Sequence, residues 1–215
     1  MEKLKYLAVE GPIGVGKTSL TRMLAEDLGA RLILEEPANN PFLSTFYEDP
    51  DRFAFQTQLF FLLSRYRQQV ELKQQDLFNQ ITVCDYVFAK DQIFAHMNLT
   101  PEEISLYEEV YQLLDARLPK PDLVIFLQAS PDVLMNRVRK RNEVYEKSLR
   151  YEYVEQLSQA YSNFFFKYQE TPLLVVNASG IDFVNNKKDY DTLKKELYHM
   201  IKTRKDRHYI TIDSR

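Results

Sequence analysis

Eight consecutive residues, Gly11-Pro12-Ile13-Gly14-Val15-Gly16-Lys17-Thr18, fit the pattern G-x-x-x-x-G-K-[ST]. Glycines let such a loop fold tightly, so that its backbone N–H groups converge on phosphate oxygens. The helix that follows, entered through Ser19, adds its N-terminal dipole. Lys17 would reach the β- and γ-phosphates, and the Thr18 hydroxyl would hold Mg²⁺. Four further groups carry chemistry. The carboxylates of Glu35-Glu36-Pro37 end an apolar run, and read either as solvated charges or as ligand-facing groups at a sheet's carboxyl edge. Asp85 closes another apolar run, as a partner of Mg²⁺ or as a helix cap. Gln58 and Arg65 lie seven apart, on one face of an apolar helix. They either satisfy each other and the core or read a polar ligand. Arg137 and Arg141, four apart in a cationic run, either complement a helix dipole or neutralise a transferring phosphoryl group.

Strands and helices must alternate to place these groups. A strand over Leu4–Glu10 leads into the glycine loop, and a helix over Ser19–Leu28 leaves it, stopped by Gly29. Arg31–Glu35 reads as a second strand, Pro41–Glu48 as a short helix, and Asp51 to about Asp76 as a long one. Its middle, Leu59-Phe60-Phe61-Leu62-Leu63, is apolar on every side, which predicts burial all round, with one face on the sheet and another on a second subunit. Gln80–Asp85 is the third strand, and Tyr86–Ala95 is irregular, then helical. Thr100-Pro101-Glu102-Glu103 opens a helix that runs to about Arg117. Asp122–Leu127 is the fourth strand, and Ser130-Pro131-Asp132 caps the next helix. A helix over Glu152–Lys167, a fifth strand over Thr171–Asn177 and a helix over Asp189–Lys205 follow. The expectation is one α/β domain over 1–215: a parallel sheet of about five strands, helices on both faces, a lid near 137–150 and a tail near 206–215.

Composition excludes some roles. A net charge of −3 gives no electrostatic case for nucleic acid or a membrane surface. No apolar segment reaches membrane-spanning length. The single cysteine, Cys84, cannot form an internal disulfide, so a reducing, cytoplasmic setting is expected, and no signal peptide precedes the first strand. Asn186-Lys187-Lys188-Asp189 matches the guanine-reading N-K-x-D pattern of GTPases. It does not close a strand, and the chain has no D-x-x-G. It reads instead as a helix start capped by Asp189.

Taken in order, these motifs resemble the deoxynucleoside kinases, the group that includes deoxycytidine, deoxyguanosine and deoxyadenosine kinases, with most likeness to bacterial members. The resemblance runs from about Tyr6 to Leu197. It implies the P-loop kinase fold and a site in which Glu36, of Glu36-Pro37, is the general base for the substrate's 5′-hydroxyl. Gln58 and Arg65 would read the base edge and Phe94 would stack on the base. Tyr47 and Glu146 would hold the sugar 3′-hydroxyl. Arg137 and Arg141 would close on the phosphates, and the Asp182-Phe183 loop would touch the adenine of the donor. The family's acid-Arg-Ser after the third strand is Asp85-Tyr86-Val87 here. Asp85 keeps the acid near Mg²⁺, and Lys90 is expected to supply the missing arginine's charge. Asp91 stands where the family has a base-contacting aspartate. A third lid arginine is replaced by Glu143, for which Arg139 would compensate.

The resemblance thus implies transfer from ATP, with Mg²⁺, to the 5′-hydroxyl of a 2′-deoxynucleoside, a purine with deoxyadenosine first and deoxycytidine as a further substrate, by a homodimer. The alternative is a nucleoside-monophosphate kinase of the thymidylate type, whose acceptor pocket would need an arginine clamp where this chain has Glu36, Gln58 and Tyr47.

Overall fold

The computed structural model describes residues 4–74, 81–203 and 206–211. Six strands, β1 (Tyr6–Glu10), β2 (Arg31–Ile33), β3 (Thr82–Cys84), β4 (Leu123–Gln128), β5 (Leu173–Asn177) and β6 (Arg207–Thr211), form one parallel sheet in the order β2-β3-β1-β4-β5-β6. The sixth strand corrects the expected five. Leu173 pairs with Arg207 and Asn177 with Thr211, so part of the presumed tail is the sheet's edge. Its polar, half-exposed sequence lacks the apolar run that marks a buried parallel strand.

Eight α-helices are present among the described residues: α1 (Lys17–Leu28), α2 (Leu43–Glu48), α3 (Pro50–Gln74), α4 (Lys90–Asn98), α5 (Pro101–Asp115), α6 (Pro131–Arg141), α7 (Tyr151–Lys167) and α8 (Lys187–Thr203). The expected end of α3 near Asp76 and the start of the third strand at Gln80 lie outside the described residues. Alternation along β1 sets the two sides of the core. Leu7 and Val9 face a cluster with Leu20 and Leu24 of α1, Leu134 of α6, and Leu193 and Leu197 of α8. Tyr6 and Ala8 face the opposite layer, with Ile93 of α4 and Leu157, Tyr161 and Phe165 of α7. A smaller cluster joins Leu62 of α3 to Phe88 and to Tyr107 and Tyr111 of α5.

In the single chain Leu62 of α3 is fully buried, whereas the next residue, Leu63, is 38% exposed. Two local expectations change. Thr100 caps α5 with a full capping box, as expected, but Ser130 stands at the N-cap of α6 with no side-chain cap bond. The turn before α8 is capped by Asn186, whose side chain accepts from the Lys188 N–H (3.1 Å). Asp189 is buried and accepts instead from the Asp182 N–H (2.9 Å), bracing the loop that carries Asp182 and Phe183.

Candidate active site

The carboxyl ends of β1, β2 and β3 open into a cleft of about 710 Å³, a size typical of ligand sites. Residues Ile13 to Ser19 form one wall. Gly14 and Gly16 have φ of 82° and 105°, values that side chains adopt only under strain. A Cβ on Gly16 would also lie 2.9 Å from the Phe183 ring. Gly11 and Pro12 sit behind the wall rather than in it, and their carbonyls accept from Lys17 Nζ at 2.6 and 3.2 Å. Burial, and then Lys90, pull the Lys17 ammonium down to about 8, against Glu10, Glu35 and Asp85.

Beside the loop, the Thr18 hydroxyl donates to Asp85 Oδ2 at 2.8 Å. Asp85 is not a helix cap, since α4 begins only at Lys90. Burial raises the pKa of Asp85, reinforced by the charge on Glu35. A hydroxyl and a carboxylate side by side are the hard oxygen donors that Mg²⁺ takes. Among the described residues no group of three or more His, Cys, Asp or Glu could hold a metal, so phosphate and water oxygens would complete the shell.

The two adjacent glutamates divide. Successive side chains of extended chain point to opposite sides, and Glu35, not Glu36, faces the cleft. Glu36 is exposed at the start of a 3-10 turn (Pro37–Asn39), where its carboxylate accepts from the Asn39 amide. This corrects the sequence expectation for the carboxylate in the cleft. Glu35 Oε2 accepts from Lys90 Nζ at 2.8 Å and Oε1 from Arg65 Nε at 2.8 Å. Arg65 in turn pairs with Asp91. Burial opposes the charge on Glu35, but Arg65 and Lys90 outweigh it and hold the carboxyl far below the usual carboxylate range. Lys90 is buried and its ammonium is directed at the Glu35 carboxylate in the cleft wall. Asp91 is fully buried behind the cleft lining, with Oδ1 paired to Arg65 and Oδ2 without a protein partner.

Gln58 and Arg65 do not satisfy each other. Gln58 is buried and its Oε1 has no protein partner, although such atoms are nearly always bonded. Phe94 lines the same end, edge-on to Tyr161 at 6.0 Å. Tyr47 packs against Tyr153 (6.0 Å), and Glu146 lines the wall beyond them. Burial raises the pKa of Glu146, with Arg141 opposing.

Arg137 and Arg141, the expected lid arginines, are engaged with protein groups. Arg137 donates from its terminal nitrogens to the carbonyls of Val15 (3.1 Å), Ala178 (3.0 Å) and Ile181 (3.0 Å), tying the phosphate loop to the Asp182-Phe183 loop. Arg141 pairs with Glu146, Nε to Oε2 at 3.2 Å. Lys140, rather than Arg139, lines the cleft beside Glu143. Asp182 and Phe183 line the wall opposite, with the Asp182 carboxyl held low chiefly by its bonds to Asn185.

One cleft thus joins a phosphate loop to a polar pocket with a carboxylate between them, the arrangement a phosphotransferase needs. The profile of the deoxynucleoside kinase family matches residues 7–202. The chain belongs to that family. This kinase is 35% identical to the deoxyguanosine kinase of Bacillus subtilis (strain 168) over 206 residues, covering 94% of this chain and 100% of that one. It is 29% identical to the deoxyadenosine kinase of Lactobacillus acidophilus, covering 90% and 95%. The deoxyadenosine kinase structure from M. mycoides shares the fold, with a TM-score of 0.79 at 24% identity over 90% of this chain and 99% of that chain.

Sequence reasoning missed Tyr145, Tyr153 and Tyr161 as cleft residues of this kinase, because an aromatic at helical spacing reads equally well as core. It also passed over Glu10, a fully buried charge at the end of a central strand. The rarity of buried carboxylates was the signal for it.

Proposed function

We propose that this kinase transfers the γ-phosphoryl group of ATP to the 5′-hydroxyl of a purine 2′-deoxynucleoside, deoxyadenosine or deoxyguanosine, with deoxycytidine as a weaker acceptor. The observation that carries this is the polar end of the cleft. There the unpartnered Gln58 Oε1 awaits a donor, while the cations Arg65 and Lys90 are balanced by the carboxylates Glu35 and Asp91. A site with no surplus cation suits a neutral nucleoside and disfavours the charged acceptor of a monophosphate kinase. Gln58 Oε1 can accept from the amino group of adenine or cytosine or from guanine N1–H. The name of the 35%-identical relative supports setting deoxyguanosine beside deoxyadenosine.

In this reading Glu35 accepts the proton of the 5′-hydroxyl as the new O–P bond forms and the bond from γ-phosphorus to the β-phosphate oxygen breaks, releasing ADP. Lys90 and Arg65 hold the carboxylate in place. Phe94 packs against the base, and Tyr47 with Glu146 grips the sugar 3′-hydroxyl. Lys17 and the loop amides hold the β- and γ-phosphates. Gly16 and the Asp182-Phe183 loop shape the donor's berth, and Arg137 and Arg141 turn to the phosphates on closure. Thr18 and Asp85 would hold Mg²⁺, which when bound neutralises charge on the β- and γ-phosphates.

The exposed leucines Leu63, Leu106 and Leu113 on α3 and α5 support a homodimer. The lone buried thiol of Cys84 supports a reducing, cytoplasmic setting. Transfer from radiolabelled ATP to the four deoxynucleosides, their ribonucleosides and their 5′-monophosphates tests the acceptor. Purine deoxynucleosides should be labelled fastest and monophosphates not at all. Labelling of monophosphates alone would transfer the assignment to the thymidylate type.

A further inference from the structure

The last residue of β1 is a glutamate whose side chain is fully buried in the middle of the sheet, directly before the phosphate loop. Both oxygens of Glu10 are acceptors of defined bonds. Oε1 takes the Gly11 N–H, the first amide of the loop, at 2.9 Å, and the Tyr161 hydroxyl at 3.2 Å. Oε2 takes the Val87 N–H at 2.9 Å. Val87 follows Asp85 by two residues and precedes Lys90 by three. One carboxylate therefore joins three separate parts of the cleft: the start of the phosphate loop, the segment between Asp85 and Lys90, and α7.

A buried carboxylate is costly unless every lone pair finds a donor. An apolar residue would fill this strand position as well as its neighbours Leu7, Ala8 and Val9 do, so the strand's packing does not call for a charge here. What the charge does is fix where the loop begins relative to the residues facing it, across a sheet edge where no ladder bond joins them.

We infer that Glu10 is a positioning residue for phosphoryl transfer, clamping the phosphate loop to the Asp85–Lys90 segment so that Lys17 and Thr18 are held in register with the carboxylates opposite. The inference rests on the phosphate loop binding the donor. The test is Glu10→Gln, which preserves shape. Whichever oxygen becomes the amide nitrogen then faces a main-chain N–H, and that bond is lost. Calorimetric titration with ATP alone and with deoxynucleoside alone, beside steady-state rates, separates the effects.

For Glu10→Gln, ATP affinity should fall by about 10–100-fold and kcat should fall as well, while nucleoside affinity stays within about threefold. Glu10→Asp keeps the charge but is one methylene too short to reach both amides, so it should show the same split, and it serves if the glutamine variant does not fold. Wild-type ATP affinity and kcat in either variant would overturn the inference. So would loss of both ligands in step with a lowered Tm, which marks a general packing role. Failure of the unaltered enzyme to bind ATP would instead overturn the reading of the donor.

Discussion

In the proposed reading, Gln58 and Glu35 are single side chains on which acceptance by the cleft depends. Gln58 lines the cleft and its buried Oε1 has no protein partner, so in the proposed reading a bound base, with the amide turned toward it, supplies the missing bond. Gln58→Leu should raise the nucleoside KM by about 10-fold, the value of one buried hydrogen bond, with little change in the KM for ATP. Steady-state kinetics with each substrate varied in turn checks this. Glu35 makes a pH prediction. Arg65 and Lys90 depress its folded pKa below the unfolded value of about 4.3. Its contribution to stability is therefore complete at neutral pH and is lost as pH falls below about 4.3 toward the folded value. Urea unfolding from pH 7 to pH 3 should show a steeper loss for the native enzyme than for Glu35→Gln; parallel slopes would contradict it. Lys90→Ala, which leaves Glu35 with Arg65 alone, should lower kcat/KM for the nucleoside, and an intact kcat/KM would remove Lys90 from the site.

At the scale of elements, the phosphate loop was the most legible, because Gly11, Gly16, Lys17 and Thr18 serve backbone conformation and chemistry at fixed spacing. Gly16→Ala would strain a φ of 105° and push on the Phe183 ring. It should cost about 1–3 kcal/mol, seen as a Tm lowered by several degrees in a thermal melt, and should raise the KM for ATP. The apolar strands β1, β4 and β5 and the capped helix α5 were also readable, since burial and capping each leave a local pattern. The choice between Glu35 and Glu36 was not. It depends on where β2 stops, and the strand ends at Ile33, before both. β6 was missed because an edge strand needs only one partner and little apolar surface. The pairing of Arg65 with Glu35 and Asp91 joins residues 30 and 26 positions apart, which no local pattern encodes.

For the molecule as a whole, the sheet's centre is buried and the cleft lies at its carboxyl edge, walled on one side by residues between Arg137 and Glu146. Arg137 and Arg141 are held by protein carbonyls and by Glu146; in the proposed reading, closure on substrate exchanges these partners for phosphate. Exposed leucines stand on α3 and α5: Leu63, Leu106 and Leu113. Leu106 and Leu113, two turns apart on one face of α5, would lie in the proposed dimer interface. Leu106→Glu with Leu113→Glu should convert the protein to a monomer in sedimentation equilibrium; an unchanged mass would place the interface elsewhere.

The proposed mechanism depends on which carboxylate takes the proton from the acceptor's hydroxyl. Side-by-side rates for Glu35→Gln and Glu36→Gln, with nucleoside binding measured for each, address it most directly. Glu35→Gln should lower kcat by about 10²–10⁴-fold while still binding nucleoside, and Glu36→Gln should keep a near-normal kcat. The reverse ranking, or a normal rate in both, would contradict the site described.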